Sequence, residues 1–299
     1  MSYPAYHGVQ DWGEMMVKIK SFVVLLIILA LAFAQAVGFA RRAEKVDDER
    51  IAWLTGNLIA HRGMFSEEEN IPENTIPAFA RAIEHGHIIE LDVAMTKDKE
   101  IVVFHDKKLK RLFGIDSYLA DMNYEELQEL KFASSEEKIP LFSEVLAFVN
   151  GQVPLLIEIK NEGEVGEMES LVYDQLREYK GEYAVQSFNP FTLAWFRKNA
   201  PEVLRGQLSG SFIVSDYEVE YAGTTRLPWH KRFLLSNLLL NFASRPNFIA
   251  YEINNTDIKA LKNVKKLGVP LLGWTVRDRA EYERVKDICD NFITEIYDL

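Results

Sequence analysis

The sequence predicts a closed (β/α)8 TIM barrel, with a small insertion after the second strand, preceded by one apolar helix. Three observations predict it. Short β-rich runs alternate with helical patterns between residues 57 and 294, the signature of βαβ units and a parallel sheet. Runs such as Leu155-Leu156-Ile157-Glu158-Ile159 are apolar on nearly every residue, as expected of parallel strands covered on both faces. From Ser21 to Ala40 only Ser21 and Gln35 are polar. Eight units in about 250 residues suit a closed barrel better than an open sheet.

Taken in order, residues 1–20 form an N-terminal tail and 21–40 a transmembrane anchor or a signal segment. Twenty helical residues span about 30 Å, the hydrocarbon thickness of a bilayer. Lys18 and Lys20 precede the segment; Arg41, Arg42, Lys45 and Arg50 follow it. That excess favours a single-pass membrane protein with a cytoplasmic C-terminal domain. Ala34-Gln35-Ala36 offers the small residues of a cleavage site, and cleavage there would export the domain instead. Residues 41–50 read as a charged linker. Within the domain, 51–299, strands are expected at 57–60, 88–93, 101–104, 154–159, 183–186, 204–208, 248–253, 270–276 and 290–294. Helical patterns lie at 76–85, 143–149, 166–179, 190–199, 230–243, 256–267 and 278–288, and a charged, helical insertion occupies about 106–139. The stretch Trp229-His230-Lys231-Arg232-Phe233 admits two readings. It is either the start of an ordinary barrel helix burying Phe233, Leu234, Leu238 and Leu239, or an interfacial helix whose basic and aromatic residues meet anionic lipid beside the anchor.

Composition narrows the chemistry. The 299 residues carry a formal net charge of −11. Residues 1–50 hold equal numbers of acids and bases, so the whole excess belongs to the barrel. This argues against nucleic acid as a partner, which would need a basic face. The one cysteine, Cys289, excludes an intramolecular disulfide and a multi-cysteine metal site. No glycine-rich dinucleotide or P-loop pattern follows a strand. Polar residues instead gather at four strand ends: His61-Arg62-Gly63, Glu90-Leu91-Asp92, His105-Asp106 and Glu158-Ile159-Lys160. Strand alternation puts Glu90 and Asp92 on one face, and Glu158 and Lys160 on another. Carboxylates converging at a barrel mouth repel unless a cation joins them, and an all-oxygen set favours Ca2+ or Mg2+. Arg62 and Lys160 add positive charge suited to a phosphate ester. His61 and His105 are the natural acid–base groups.

These segments resemble the glycerophosphodiester phosphodiesterase family. The resemblance is carried, in order, by His61-Arg62-Gly63, Pro72-Glu73-Asn74-Thr75, Glu90-Leu91-Asp92-Val93 with Thr96 and Asp98, and Val102-Val103-Phe104-His105-Asp106. It continues through Glu129-Leu130-Lys131, Ile139-Pro140-Leu141, Ile157-Glu158-Ile159-Lys160, Gln186-Ser187-Phe188 and Trp274-Thr275-Val276. It implies metal-dependent hydrolysis of glycerophosphodiesters to sn-glycerol 3-phosphate and an alcohol. Glu90, Asp92 and Glu158 would bind the metal, with Glu73 completing the polar ring. His61 and His105 would be general base and acid, in either order. Arg62 would hold the phosphate, Lys160 would stabilise charge beside it, and Phe188 and Trp274 would pack against the glycerol or leaving group. The nucleophile is either water or the substrate's own glycerol hydroxyl. Headgroup-side cleavage of lysophospholipids is a neighbouring activity, and a non-catalytic phosphodiester-binding barrel is the alternative of another class. Glu67-Glu68-Glu69, Arg277 in place of the usual Asn, and Glu295 where Asp is usual depart from the family pattern.

Overall fold

The computed structural model describes residues 8–299 apart from 134 and 162; residues 1–7 of the expected tail lie outside the described residues. Among the described residues nine strands form: β1 (Ile59–Ala60), β2 (Ile88–Met95), β3 (Ile101–Val103), β4 (Leu155–Ile159), β5 (Tyr183–Ser187), β6 (Leu204–Ser209), β7 (Phe248–Glu252), β8 (Leu271–Val276) and β9 (Asn291–Thr294). Eight of them run parallel in the order β1-β2-β4-β5-β6-β7-β8-β9, and β9 pairs with β1 to close the ring. The expected TIM barrel is formed.

Strand alternation sorts the core. Ile89, Leu91 and Val93 of β2, with Leu155, Ile157 and Ile159 of β4, pack outward against Phe79, Phe142 and Phe196 of the surrounding helices. Their neighbours Ile88 and Leu156 point inward and join Ile59, Ala184, Leu204, Phe248, Leu272 and Ile293 in an inner cluster. Fully burying a Phe or Leu side chain stabilises by roughly 1.5–3 kcal/mol. Gly206 is part of this inner packing: a Cβ there would lie 2.0 Å from the Phe248 ring. Ile51 and Leu54 close the barrel's N-terminal end from below, and Asn291 Nδ2 donates to the Leu54 and Asn57 carbonyls.

The excursion after the second strand begins earlier than residue 106. Strand β3 forms as expected, but it pairs antiparallel with the overhanging end of β2 and stands outside the ring. Its own small core gathers Val102, Phe104, Leu109, Leu119, Leu127, Phe132 and Ile139. The expected helix 230–243 is two pieces, Trp229–Ser236 and Asn241–Ser244, because Leu238 between them takes a left-handed conformation (φ 57°) that does not continue an α-helix. Leu238 is buried, but Phe233 is exposed, so only part of the barrel-helix reading holds.

The apolar segment lies in a longer helix, Gly8–Ala40. Its stretch Met15–Ala40 is long and apolar enough to cross a membrane and is unburied by the barrel. The charged linker is docked, not free: Glu44 N donates to the Pro246 carbonyl at 2.9 Å, and Arg205 Nη2 lies 3.2 Å from Glu44 Oε2.

Candidate active site

The parallel register stacks the polar residues at one end of the barrel. Asp92 on β2 pairs with Glu158 on β4, and Glu158 with Gln186 on β5. Glu90 lies one inward position deeper on β2, where Gln186 Nε2 donates to Glu90 Oε1 at 3.2 Å. Glu90, Asp92 and Glu158 each offer an oxygen within 4.8 Å of those of the other two, and all three are buried. Lys160 Nζ bridges Glu158 Oε1 (2.6 Å) and Asp92 Oδ1 (3.0 Å).

The loop after β1 folds over this cluster. Arg62 and Asn74 both take left-handed conformations, and the Asn74 N–H donates to the Arg62 carbonyl at 3.0 Å. Asn74 Nδ2 donates to Asp92 Oδ2 at 2.9 Å, and the Arg62 backbone N–H to Glu90 Oε2 at 3.1 Å. Gly63 allows the close approach: its φ is +76°, and a Cβ would meet the Ala78 carbonyl carbon at 2.9 Å. The Arg62 guanidinium is thereby fixed, Nη1 donating to Glu73 Oε1 at 2.7 Å and Nε lying 3.5 Å from Asp92 Oδ2.

Glu73 stands apart from the three clustered carboxylates. Both of its oxygens receive Arg111, Nη2 to Oε1 at 2.6 Å and Nη1 to Oε2 at 2.9 Å. It therefore anchors guanidinium groups, and the structure does not bring it into the ring around a cation. Arg111 continues to Asp106, its Nε donating to Oδ2 at 2.6 Å, and Asp106 Oδ1 is 2.6 Å from His105 Nδ1. His105 reaches the mouth although β3 is outside the ring, because the hairpin turns back and the Phe104 N–H donates to the Asp92 carbonyl at 2.9 Å. His61 has its own carboxylate, Glu295, with Nδ1 and Oε1 2.8 Å apart. An ionised carboxylate only accepts, so each histidine presents a protonated Nδ1 and leaves Nε2 for a ligand.

Phe188 and Trp274 are together at this end, their rings edge-on at 5.5 Å, and Phe212 packs edge-on to Phe188 at 5.7 Å. The Trp274 Nε1–H is buried without a partner among the described residues, a donor left over for a bound group. Beside the ion-pair network runs a groove of about 300 Å3, walled by Phe65, Ile71, Leu112 and Phe132 and reaching Glu73 and Arg111.

The electrostatics follow from burial and neighbours. Burial, then Asp92 and Glu158, push the Glu90 carboxyl well above its ordinary range. Burial and Asp92 outweigh Lys160 at Glu158 and push it up to about 7. Asp92 is also buried, but Lys160, His105 and Arg62 hold it below the usual range. Burial, Arg62 and Lys160 lower His105 to about 4, against the opposing pull of Asp92 and Asp106. Burial and Arg62 also lower His61, and Glu295 only partly offsets them. Six carboxylates (Glu73, Glu90, Asp92, Asp106, Glu158 and Glu295) thus share the mouth with Arg62, Lys160 and Arg111. Two of the three clustered carboxyls are driven toward the protonated form. A hard divalent cation on this all-oxygen set would reverse that and leave the site fit for an anion.

Sequence reasoning did not single out Glu295, Arg111, Asp106, Asn74 or Gln186 for roles. Asp106, Asn74 and Gln186 sit inside motifs already noted, and Glu295 was visible only as a departure from a pattern. Arg111 carries no local signal; only the folding of the insertion brings it to Glu73.

A parallel barrel with clustered carboxylates, fixed cations and two carboxylate-paired histidines at its mouth defines an enzyme that handles phosphate esters. Residues 61–295 match the Glycerophosphoryl diester phosphodiesterase family, and the chain belongs to it. It is a phosphoric diester hydrolase by that membership. A glycerophosphodiester phosphodiesterase of Caldanaerobacter subterraneus is 34% identical over 254 residues, covering 80% of this chain and 93% of the relative. A lysophospholipase D of Homo sapiens is 33% identical over 135 residues, 40% of this chain and 42% of its own length. A phosphodiesterase of Oleispira antarctica, solved in complex with the product sn-glycerol-3-phosphate, shares the fold with a TM-score of 0.64 at 23% identity, covering 81% of this chain and 93% of that one.

Proposed function

We propose that the protein hydrolyses glycerophosphodiesters to sn-glycerol 3-phosphate and an alcohol, with Glu90, Asp92 and Glu158 holding a divalent ion, Ca2+ or Mg2+. The observation that carries this reading is the pairing of His61 with Glu295 and of His105 with Asp106 around the carboxylate cluster. When bound, the ion would offset the carboxylate charge and act as a Lewis acid toward the phosphate oxygens. Arg62, braced by Glu73, holds the phosphate, and Lys160 stabilises the charge that builds there. One imidazole accepts the proton of the attacking O–H, from water or from the glycerol hydroxyl, as its oxygen bonds to phosphorus; on the second route a water then opens the cyclic phosphate to glycerol 3-phosphate. The other donates a proton to the leaving alcohol oxygen as the P–O bond breaks. Both are held neutral by burial and the neighbouring cations, and the arriving phosphate anion favours charging of the one that acts as acid. Phe188 and Trp274 pack against the glycerol or the leaving group.

Release of glycerol 3-phosphate from glycerophosphocholine, with and without chelator, tests the reading; no turnover with any divalent ion would falsify it. His61→Ala and His105→Ala should each lower turnover about 10²–10⁴-fold. A p-nitrophenyl leaving group, which needs no proton, should restore activity only to the variant lacking the acid. A second reading, cleavage of lysophospholipids on the headgroup side, is favoured by the exposed apolar helix. A panel of glycerophospho-alcohols and lysolipids separates the two.

A further inference from the structure

The segment between β6 and β7 carries a surface that the chemistry at the mouth does not use. Residues 227–247 contain Lys231, Arg232 and Arg245 and no acidic residue, in a chain of net charge −11; the acids of this connection lie before them, where Asp216 pairs with Arg226. The helix Trp229–Ser236 buries none of its residues. Trp229 is 77% exposed and Phe233 55% exposed, and their spacing of four puts both on one side of the helix. Arg232, three positions after Trp229, is exposed on the same side, and Lys231 is exposed on the other.

This surface adjoins the place where the apolar N-terminal helix meets the barrel. Past the break at Leu238, Phe242 stacks on Phe39 at 6.2 Å. Arg41 Nε donates to the Asn237 carbonyl at 2.7 Å, and the Arg42 guanidinium lies 5.2 Å over the Phe39 ring. Eight helical residues separate Asn237 from Trp229, about 12 Å. The exposed aromatics and their cations therefore lie close to the end of the membrane-length stretch Met15–Ala40. Tryptophan settles at the membrane–water boundary, phenylalanine enters the adjoining acyl layer, and lysine and arginine are drawn to anionic headgroups. An ordinary barrel helix would instead have buried Phe233.

We propose that Trp229, Phe233 and Phe242, with Arg232, form a membrane-contact face that holds the barrel against an anionic lipid surface beside a retained helix Met15–Ala40. The proposal does not depend on the reaction at the mouth. The loop preceding this helix carries Phe212, which packs on Phe188, so lipid contact here also sets how the mouth is presented to the bilayer.

The test uses the full chain, one copy per lipid nanodisc, in a Cys289→Ala background. A nitroxide is placed through Phe233→Cys or, as a control, through Glu84→Cys on the helix Ile76–Glu84, which follows β1 across the ring from the β6–β7 connection. In discs containing phosphatidylglycerol, the label at 233 should lose collisions with a water-soluble nickel chelate and gain them with oxygen, while the label at 84 stays aqueous. Arg232→Gln should weaken that contact roughly fivefold, and pure phosphatidylcholine should weaken it too. Thermal melting checks that the variants are folded. Equal aqueous access at 233 and 84 in anionic discs overturns the proposal. Protection at 233 that ignores both lipid charge and the Arg232→Gln variant overturns it as well.

Discussion

Removing Arg111 should uncouple the two sides of the mouth. Its guanidinium makes three charge-assisted hydrogen bonds, two to Glu73 and one to Asp106, and both carboxylates are buried. Breaking a buried ion pair from one side costs about 3–5 kcal/mol. Here Glu73 keeps Arg62 and Asp106 keeps His105, and the Arg111 side chain is 22% exposed. The expected loss for Arg111→Ala is therefore about 2–3 kcal/mol, a melting temperature lower by roughly 5–10 °C for a domain of this size. Turnover should fall more than stability explains. Without Arg111, Glu73 steers Arg62 alone and Asp106 steers His105 alone, and a misplacement of about 1 Å costs about 10²-fold. Arg111→Lys restores a charge but not the planar fork, so it should recover stability better than turnover. Melting and glycerophosphocholine turnover at saturating divalent ion measure both. A melting temperature within about 1 °C of the parent, with turnover reduced less than about threefold, would refute the reasoning.

Other outcomes follow from the same geometry. Glu295→Gln removes the carboxylate that raises the His61 pKa; the His61 pKa falls further, so the acidic limb of the pH–rate profile moves to lower pH if His61 is the base. An unmoved limb excludes that role. Gly63→Ala should destabilise by roughly 1–3 kcal/mol, since the new Cβ meets Ala78 backbone at 2.9 Å with φ at +76°. Gly86→Ala, at φ +68° with open space around it, should cost only about 1 kcal/mol, and equal losses in denaturant titrations would contradict the packing account. Burial pushes the Cys289 thiol up to about 12, so iodoacetamide at pH 8 should label it slowly in the folded protein and readily in urea. Fast labelling before unfolding would show that the last turn of the barrel opens.

Much of this protein was legible in one dimension. Apolar β-rich runs at helical intervals specify a parallel barrel because each strand must be covered on both faces. The period of two puts Glu90 with Asp92, and Glu158 with Lys160, before any coordinates are known. The membrane-length run Ser21–Ala40 is equally local. What the sequence could not express is pairing between distant segments. Register decides that Asp92 meets Glu158 and that Glu158 meets Gln186. The antiparallel turn of β3 outside the ring decides that His105 returns to the mouth. Arg111 joins Glu73, assigned in advance to the metal ring, only because the insertion folds back over the loop after β1. Phe233 looks like a core residue by period, yet its helix packs no residue into the core and leaves the ring in solvent. The sequence by itself determined the barrel and the chemical types at its mouth, since those rest on local periodicity. Only the tertiary structure decided which carboxylate serves which cation or histidine, since that rests on contacts between residues up to 234 positions apart.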